Sequence, residues 1–387
     1  MLLIKNAEIL APEPGGRSDI LLGGGRILRM EPDIRISRKY CEVIDARNLI
    51  AVPGFIDAHV HMMGGGGEGG FATRTPDLQL TDAIRGGITT VVGCLGTDGY
   101  TRSMAGLLAK AKGLEEEGLS TYLYSGSYGV PVRTLFGTLE EDLLFIDKVI
   151  GAGEVAISDH RSSQPTFEAI AQLAGTARRG GMLSGKAGIV NLHLGDGLRG
   201  LEILRRILKE TEIPATQFLP THINRNSRLF EEGIAYAKAG GFVDFTTSTV
   251  QAYLDDGEVP CGQALRRMLE AGVDPGHITF TSDGQGSLPD FDGRGHLRGI
   301  SVGRVTTLFA AVREAVLQEK VPLETALRVI TSNPAHLLKL RSKGRLAAGL
   351  DADVVLLDPK DLEIHTVIAK GRPLMKARKP LAKGIIE

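Results

Sequence analysis

Two histidines two residues apart, His59 and His61, lie in the apolar run Gly54-Phe55-Ile56-Asp57-Ala58-His59-Val60-His61. In a strand, residues two apart project from the same face, so both imidazoles can aim at one point. Neutral imidazole nitrogens are good ligands for divalent transition metals. Three further polar residues close apolar runs: His193 after Gly188–Leu192, His222 after Phe218–Thr221, and Asp283 after His277–Ser282. A His-x-His pair alone says little. Joined to three such run ends, it reads as a metal centre that activates water. Asp283 can then ligate through one carboxylate oxygen and take the water proton through the other. Glu154, just before Val155-Ala156-Ile157-Ser158-Asp159-His160-Arg161, is open between two readings. It could bridge two ions with its two oxygens, or be a solvent-facing acid beside Gly151 and Gly153.

Such residues need a scaffold that brings strand ends together. Apolar runs at 54–61, 88–95, 120–127, 154–159, 188–194, 217–222, 242–247 and 277–283 alternate with helix-compatible segments such as 103–117, 139–150 and 201–209. Eight strands are what a (β/α)8 barrel requires, and its chemistry sits at the C-terminal strand ends. Later helices are expected over 302–319, 323–330 and 335–340. Residues 1–52 read as short strands and turns, and 346–387 return to β-like material after the turn at Leu346–Gly349. The expected fold is therefore α/β: a TIM-like metallohydrolase barrel over 53–345 with a small discontinuous β-sandwich domain built from 1–52 and 346–387.

A chain of 387 residues accommodates a barrel of about 250 residues and a second module. Its 45 Lys and Arg against 46 Asp and Glu give a net charge of -1, which argues against a nucleic-acid partner. No run is long and apolar enough to span a bilayer, and no secretory leader is evident. Three widely spaced cysteines, Cys41, Cys94 and Cys261, fit a reducing cytoplasm rather than a disulfide framework. Cys94 is expected to pack as a small hydrophobe.

The stretches 54–68, 73–76 (Thr-Arg-Thr-Pro), 93–98, 128–134, 156–161, 220–226 and 282–289 give the chain a further character. It resembles the metal-dependent isoaspartyl dipeptidases of the amidohydrolase superfamily. The resemblance implies two divalent, zinc-like ions: His59, His61 and Asp283 on one, His193 and His222 on the other. That family bridges its ions with a carboxylated lysine, whereas Glu154 stands at the matching position here. A shorter side chain must then span the same gap. The resemblance further implies Glu68 for the substrate's free amino group, with Gly66 and Thr97 around the same end and Ser287 as another substrate-end contact. It implies Arg161 and Arg225 for the two substrate carboxylates, and Tyr128 for the oxygen that gathers negative charge.

The implied partner is a small β-aspartyl dipeptide, and a homo-oligomer is expected. Competing readings are a cyclic amidohydrolase, an N-acyl-amino-acid deacylase, and a metal-binding scaffold without catalysis. His160, His277, His296, His336 and His365 stay outside the expected ligand set.

Overall fold

The computed structural model describes every residue except Arg38, Gly293 and Gly295. Eight parallel strands form the barrel: Phe55–Val60, Ile88–Gly93, Ser120–Ser125, Val149–Ile157, Ile189–Leu194, Phe218–Thr221, Val243–Thr246 and Ile278–Thr281. The first six pair in sequence order and the last two pair with each other. The Ile223 amide donates to the Asp244 carbonyl at 3.1 Å, joining sixth to seventh, and the His61 amide donates to the Gly284 carbonyl at 2.9 Å, closing eighth on first. Nearly every strand residue is buried on both faces, as expected where helices cover a parallel sheet.

Four of the surrounding helices start at side chains that accept orphan amide protons. Ser103 caps Met104–Glu117, Thr166 caps Phe167–Ser184, Asn226 caps Ser227–Lys238, and Thr138 with Glu141 forms a capping box on Leu139–Phe145.

Strands from both chain ends make one nine-stranded mixed sheet. The joint is antiparallel pairing of Ile50–Pro53 with Val354–Leu357. Alternation along these strands divides their side chains. Ile4, Ile20, Leu22, Ile27, Val354 and Leu356 form the sheet's own apolar cluster, while Val52, Val355, Leu357 and Val367 join the main core. The strand Ile50–Pro53 runs straight through Gly54, whose amide donates to the Asp353 carbonyl at 2.9 Å, into the first barrel strand. The terminal sheet thereby fixes the start of the strand that carries His59.

Three boundaries differ from expectation. The helix expected over 139–150 ends at Phe145, and the fourth strand begins at Val149 rather than 154. The run Leu143–Ile150 is apolar enough for either element, and periodicity alone does not divide it. The helix expected from 302 begins at Thr307. Residues before it form an unexpected antiparallel hairpin, Ser287–Phe291 with Leu297–Val302, lying over the C-terminal mouth of the barrel.

Candidate metal centre and substrate pocket

Each ligand candidate emerges at the same barrel mouth. His61 directly follows the first strand, Cys94 the second and His222 the sixth; Glu154 and His193 lie in the fourth and fifth, and Asp283 two residues past the eighth. His222 and Asp283 adopt left-handed backbone angles, φ 66° and 52°. That conformation is uncommon for non-glycine residues and turns both side chains where the strands end.

The nitrogens and oxygens surround two gaps. Glu154 lies between them: Oε2 is 3.3 Å from His59 Nε2, 3.1 Å from His193 Nδ1 and 3.7 Å from His222 Nε2, while Oε1 is 3.4 Å from His61 Nε2. Asp283 Oδ1 is 3.0 Å from His61 Nε2 and 3.7 Å from His59 Nε2. Bonds of about 2.0–2.1 Å opened at a tetrahedral angle place neighbouring ligand atoms about 3.3 Å apart. The observed separations match that value. His59 Nε2 and Asp283 Oδ1 are also buried without any hydrogen-bond partner. A cation between them satisfies both, so the residues present fit two divalent ions bridged by Glu154. Glu154 is 1% exposed, which removes the solvent-facing alternative.

Partners behind the imidazoles decide which nitrogen faces inward. His59 Nδ1 meets Asn191 Oδ1 at 3.1 Å, His193 Nε2 meets Asp159 Oδ2 at 3.0 Å, and His222 Nδ1 meets Thr246 Oγ1 at 2.5 Å. Such contacts fix tautomer and ring orientation, leaving the opposite nitrogen for metal.

Cys94 packs as expected in an apolar cluster with Ile56, Ala58 and Val92, and its sulfur also reaches the histidines. Its Sγ lies 3.9 Å from His61 Nδ1, and it joins His59, His61 and Glu154 in one cluster of ligand atoms within 4.8 Å of each other. Glu154, His193 and His222 form the second such cluster. Replacing Cys94 with Ala should weaken zinc retention about 10–100-fold without loss of folding, measured by competition with a chromogenic chelator. Unchanged retention would leave Cys94 to packing alone.

Charge is held in place by burial and proximity together. Burial pushes the His59 and His61 pKa values down, but the Cys94 sulfur with Glu154 or Asp283 outweighs it and holds both well above the usual imidazole range. Burial pushes Glu154 up, yet His59, His193 and His222 bring it well below the ordinary carboxylate value. His222 is pushed down to about 3 by burial and by His193, so it stands neutral. An ion entering between His59 and His61 must therefore displace protons. Metal affinity should fall as pH drops from mildly alkaline to mildly acidic, with proton release on binding detectable by calorimetry in buffers of different ionisation heat.

A cavity of about 680 Å³ opens over these ligands. Glu68 Oε1 accepts from Ser287 Oγ at 2.9 Å, Arg161 Nη1 at 3.2 Å and Thr97 Oγ1 at 3.3 Å, while Oε2 is buried with no partner. Gly66 beside it has φ 76°, and a Cβ there would lie 2.4 Å from the Thr73 carbonyl, so glycine is needed for the loop to fold over the pocket. Arg225 lines the same cavity with its nearest carboxylate, Asp196, at 3.9 Å. Tyr128 OH points to the centre, 2.9 Å from His193 Nδ1; burial holds its pKa well above 10, so the phenol stays protonated. The hairpin supplies Ser287, and Tyr253 OH braces it through the Pro289 carbonyl at 2.7 Å.

All expected site residues therefore meet at one mouth. Sequence reasoning missed Asn191, Asp159 and Thr246, which contact the ligand imidazoles. Asp159 sits in the quoted Val155–Arg161 stretch, two residues before Arg161; the others carried no visible signal. Of the remaining histidines, His160 is exposed beside Asp159, and His277 Nδ1 contacts the Gly241 carbonyl at 2.9 Å.

Residues 50–184 and 200–374 match the model of the amidohydrolase family. The chain belongs to that family. It is similar to a solved β-aspartyl dipeptidase of the keratin-degrading thermophile Fervidobacterium islandicum AW-1 in complex with the β-Asp-Leu dipeptide: 47% identity over 98% of both chains, TM-score 0.91. A solved D-hydantoinase shares the fold at 17% identity and TM-score 0.69, over 99% of this chain and 97% of the other. Among curated relatives, a dihydroorotase of Staphylococcus epidermidis is 41% identical over 91 residues, 24% of this chain and 21% of that protein. An allantoinase of Enterococcus faecalis is 27% identical across 92% of this chain and 87% of its own length. Against the dihydroorotase, then, the chain spans about a fifth of the relative's length.

Proposed function

We propose that this amidohydrolase hydrolyses β-aspartyl dipeptides, releasing aspartate from an amide made through its side-chain carboxyl. The observation that carries this reading is the unpartnered, buried Glu68 Oε2 beside a cavity lined also by Arg161, Arg225 and the ligand residues His61, Glu154, His193, His222 and Asp283. An ammonium at Glu68 and two carboxylates at the arginines describe a zwitterion with two acidic groups. A cyclic amide offers neither the ammonium nor both carboxylates, so the polar residues here favour the dipeptide. The 47% identity to the F. islandicum β-aspartyl dipeptidase supports the same substrate class.

A bound pair of divalent ions supplies carbonyl polarisation and a water acidic enough to ionise near neutral pH. The chain's own residues do the rest. Asp283 takes the proton of the attacking water and returns it to the amide nitrogen as the C–N bond breaks. Tyr128 donates its phenol hydrogen to the carbonyl oxygen as negative charge collects there. Glu68, steadied by Ser287 and Thr97, holds the ammonium, with the Gly66 loop closing over it. Arg161 and Arg225 clamp the carboxylates and orient the amide over the ligands. Buried Cys41, Cys94 and Cys261, all unpaired, fit a reducing cytoplasm, and no helix among the described residues is long and apolar enough to cross a membrane.

The test is turnover of β-Asp-Leu by zinc-loaded protein against α-Asp-Leu, N-acetyl-β-Asp-Leu and dihydroorotate. The proposal expects β-Asp-Leu to be cleaved, with the acetylated form lost through Glu68. Preference for dihydroorotate, or indifference to acetylation, would overturn it.

A further inference from the structure

Asp159 is a heavily engaged carboxylate outside the ligand set, and the mechanism above gives it no part. It is 5% exposed at the end of the fourth barrel strand. Oδ2 meets His193 Nε2 at 3.0 Å and accepts from Arg161 Nη2 at 2.8 Å. Oδ1 accepts from Arg161 Nε at 3.0 Å and from the Arg161 amide at 2.7 Å. Its own carbonyl accepts from the Ser162 amide at 3.1 Å and Gln164 Nε2 at 2.8 Å, so the turn beneath it is fixed as well. Gly195 packs against it, where a Cβ would come within 2.5 Å of the Asp159 Cβ.

We infer that Asp159 is a positioning residue that sets one metal ligand and one substrate arginine with the same carboxylate. This rests on the proposed roles of His193 and Arg161. On the metal side, accepting a proton from Nε2 leaves Nδ1, the nitrogen 3.1 Å from Glu154, as the only ligating atom of His193. On the substrate side, a bidentate carboxylate holds the guanidinium plane and turns Nη1 toward Glu68 at 3.2 Å. Two protein carboxylates, Asp159 and Glu68, therefore share Arg161 before any substrate arrives. The arginine is preset in orientation and its charge partly balanced, so it orders a carboxylate more than it captures one. Because one side chain serves both ends, damage to it must appear at both.

The experiment compares Asp159→Asn with Arg161→Lys and Asp159→Glu, in protein first stripped and then titrated with zinc. Asn presents an NH2 or a neutral oxygen where two charge-assisted bonds stood. Asp159→Asn should lower zinc affinity at the second site about 10–100-fold and raise KM for β-Asp-Leu, with near-native circular dichroism. Arg161→Lys should raise KM and leave zinc affinity as in the parent. Asp159→Glu, which keeps the charge, should recover part of both losses. Zinc affinity and KM at parent values in folded Asp159→Asn would overturn the inference, as would a loss confined to one of them. Should that variant fail to fold, nitrogen NMR of the zinc-loaded parent decides, the His193 signal being assigned through a His193→Gln variant. The inference requires the imidazole proton on Nε2, and metal at Nε2 contradicts it. Zinc affinity and the tautomer are read without turnover, so they stand apart from the substrate assignment: a parent that does not cleave β-Asp-Leu refutes the latter alone.

Discussion

Asp283→Asn should lower kcat for β-Asp-Leu by about 10³–10⁴, equivalent to about 4–5.5 kcal/mol of barrier. Asparagine has nearly the shape of aspartate but cannot take a proton from water or return one to the amide nitrogen. Oδ1 of Asp283 is the oxygen left without a partner, 3.0 Å from His61 Nε2 and 3.7 Å from His59 Nε2. The carboxylate pKa is pushed up by burial and brought below its usual value by His61, His222 and His59, so the group is anionic when substrate enters. Loss should fall on kcat more than on KM, because the proposed contacts of Glu68 and the arginines with the ends of the dipeptide are left intact. Steady-state kinetics with circular dichroism separates the effect from misfolding. A variant retaining a tenth of parental kcat would remove Asp283 as the proton carrier.

Glu154→Gln should be nearly as damaging, by another route. Four histidine nitrogens lie 3.1–3.7 Å from the Glu154 oxygens, three of them around Oε2. An amide offers one weak acceptor and one donor, so at most one side of the bridge survives, and the NH2 would face an imidazole nitrogen or a cation. Zinc content by atomic absorption should fall from two ions per chain toward one or none, and kcat by at least about 10². The group is 1% exposed, so the fold around it also loses a buried charge that the neighbouring imidazoles stabilise. Full zinc content in Glu154→Gln would mean that the ions are not joined through this residue.

The ligand set was legible because barrel chemistry depends on strand ends, and strand ends leave a one-dimensional trace: an apolar run that stops at His or Asp. His59, His61, His193, His222 and Asp283 each had that trace. The supports did not. Asn191 and Thr246 reach ligands 132 and 24 residues away in the chain, and nothing in their own neighbourhoods announces it. Cys94 packs as its apolar surroundings predict, but its closeness to His59 and His61 across the barrel left no trace in the chain. The mouth hairpin escaped because Leu297–Val302 mixes Leu, Ile and Val with Arg298, Gly299 and Ser301 and buries none of them, so it leaves no apolar run to read. Its consequence is functional, for it carries Ser287 to Glu68.

The shorter bridging side chain is accommodated without an empty gap. Glu154 lies within its strand, between Val149 and Ile157, and its carboxylate already stands among four imidazoles. A lysine carbamate would reach from further away; here the shorter carboxylate lies within 3.1–3.7 Å of all four. The most direct measurement is therefore an anomalous difference map at the zinc edge from crystals of active enzyme. Two peaks about 3.5–4 Å apart with Glu154 between them is the predicted result. A single peak, or a Glu154 side chain turned away from both, would contradict it.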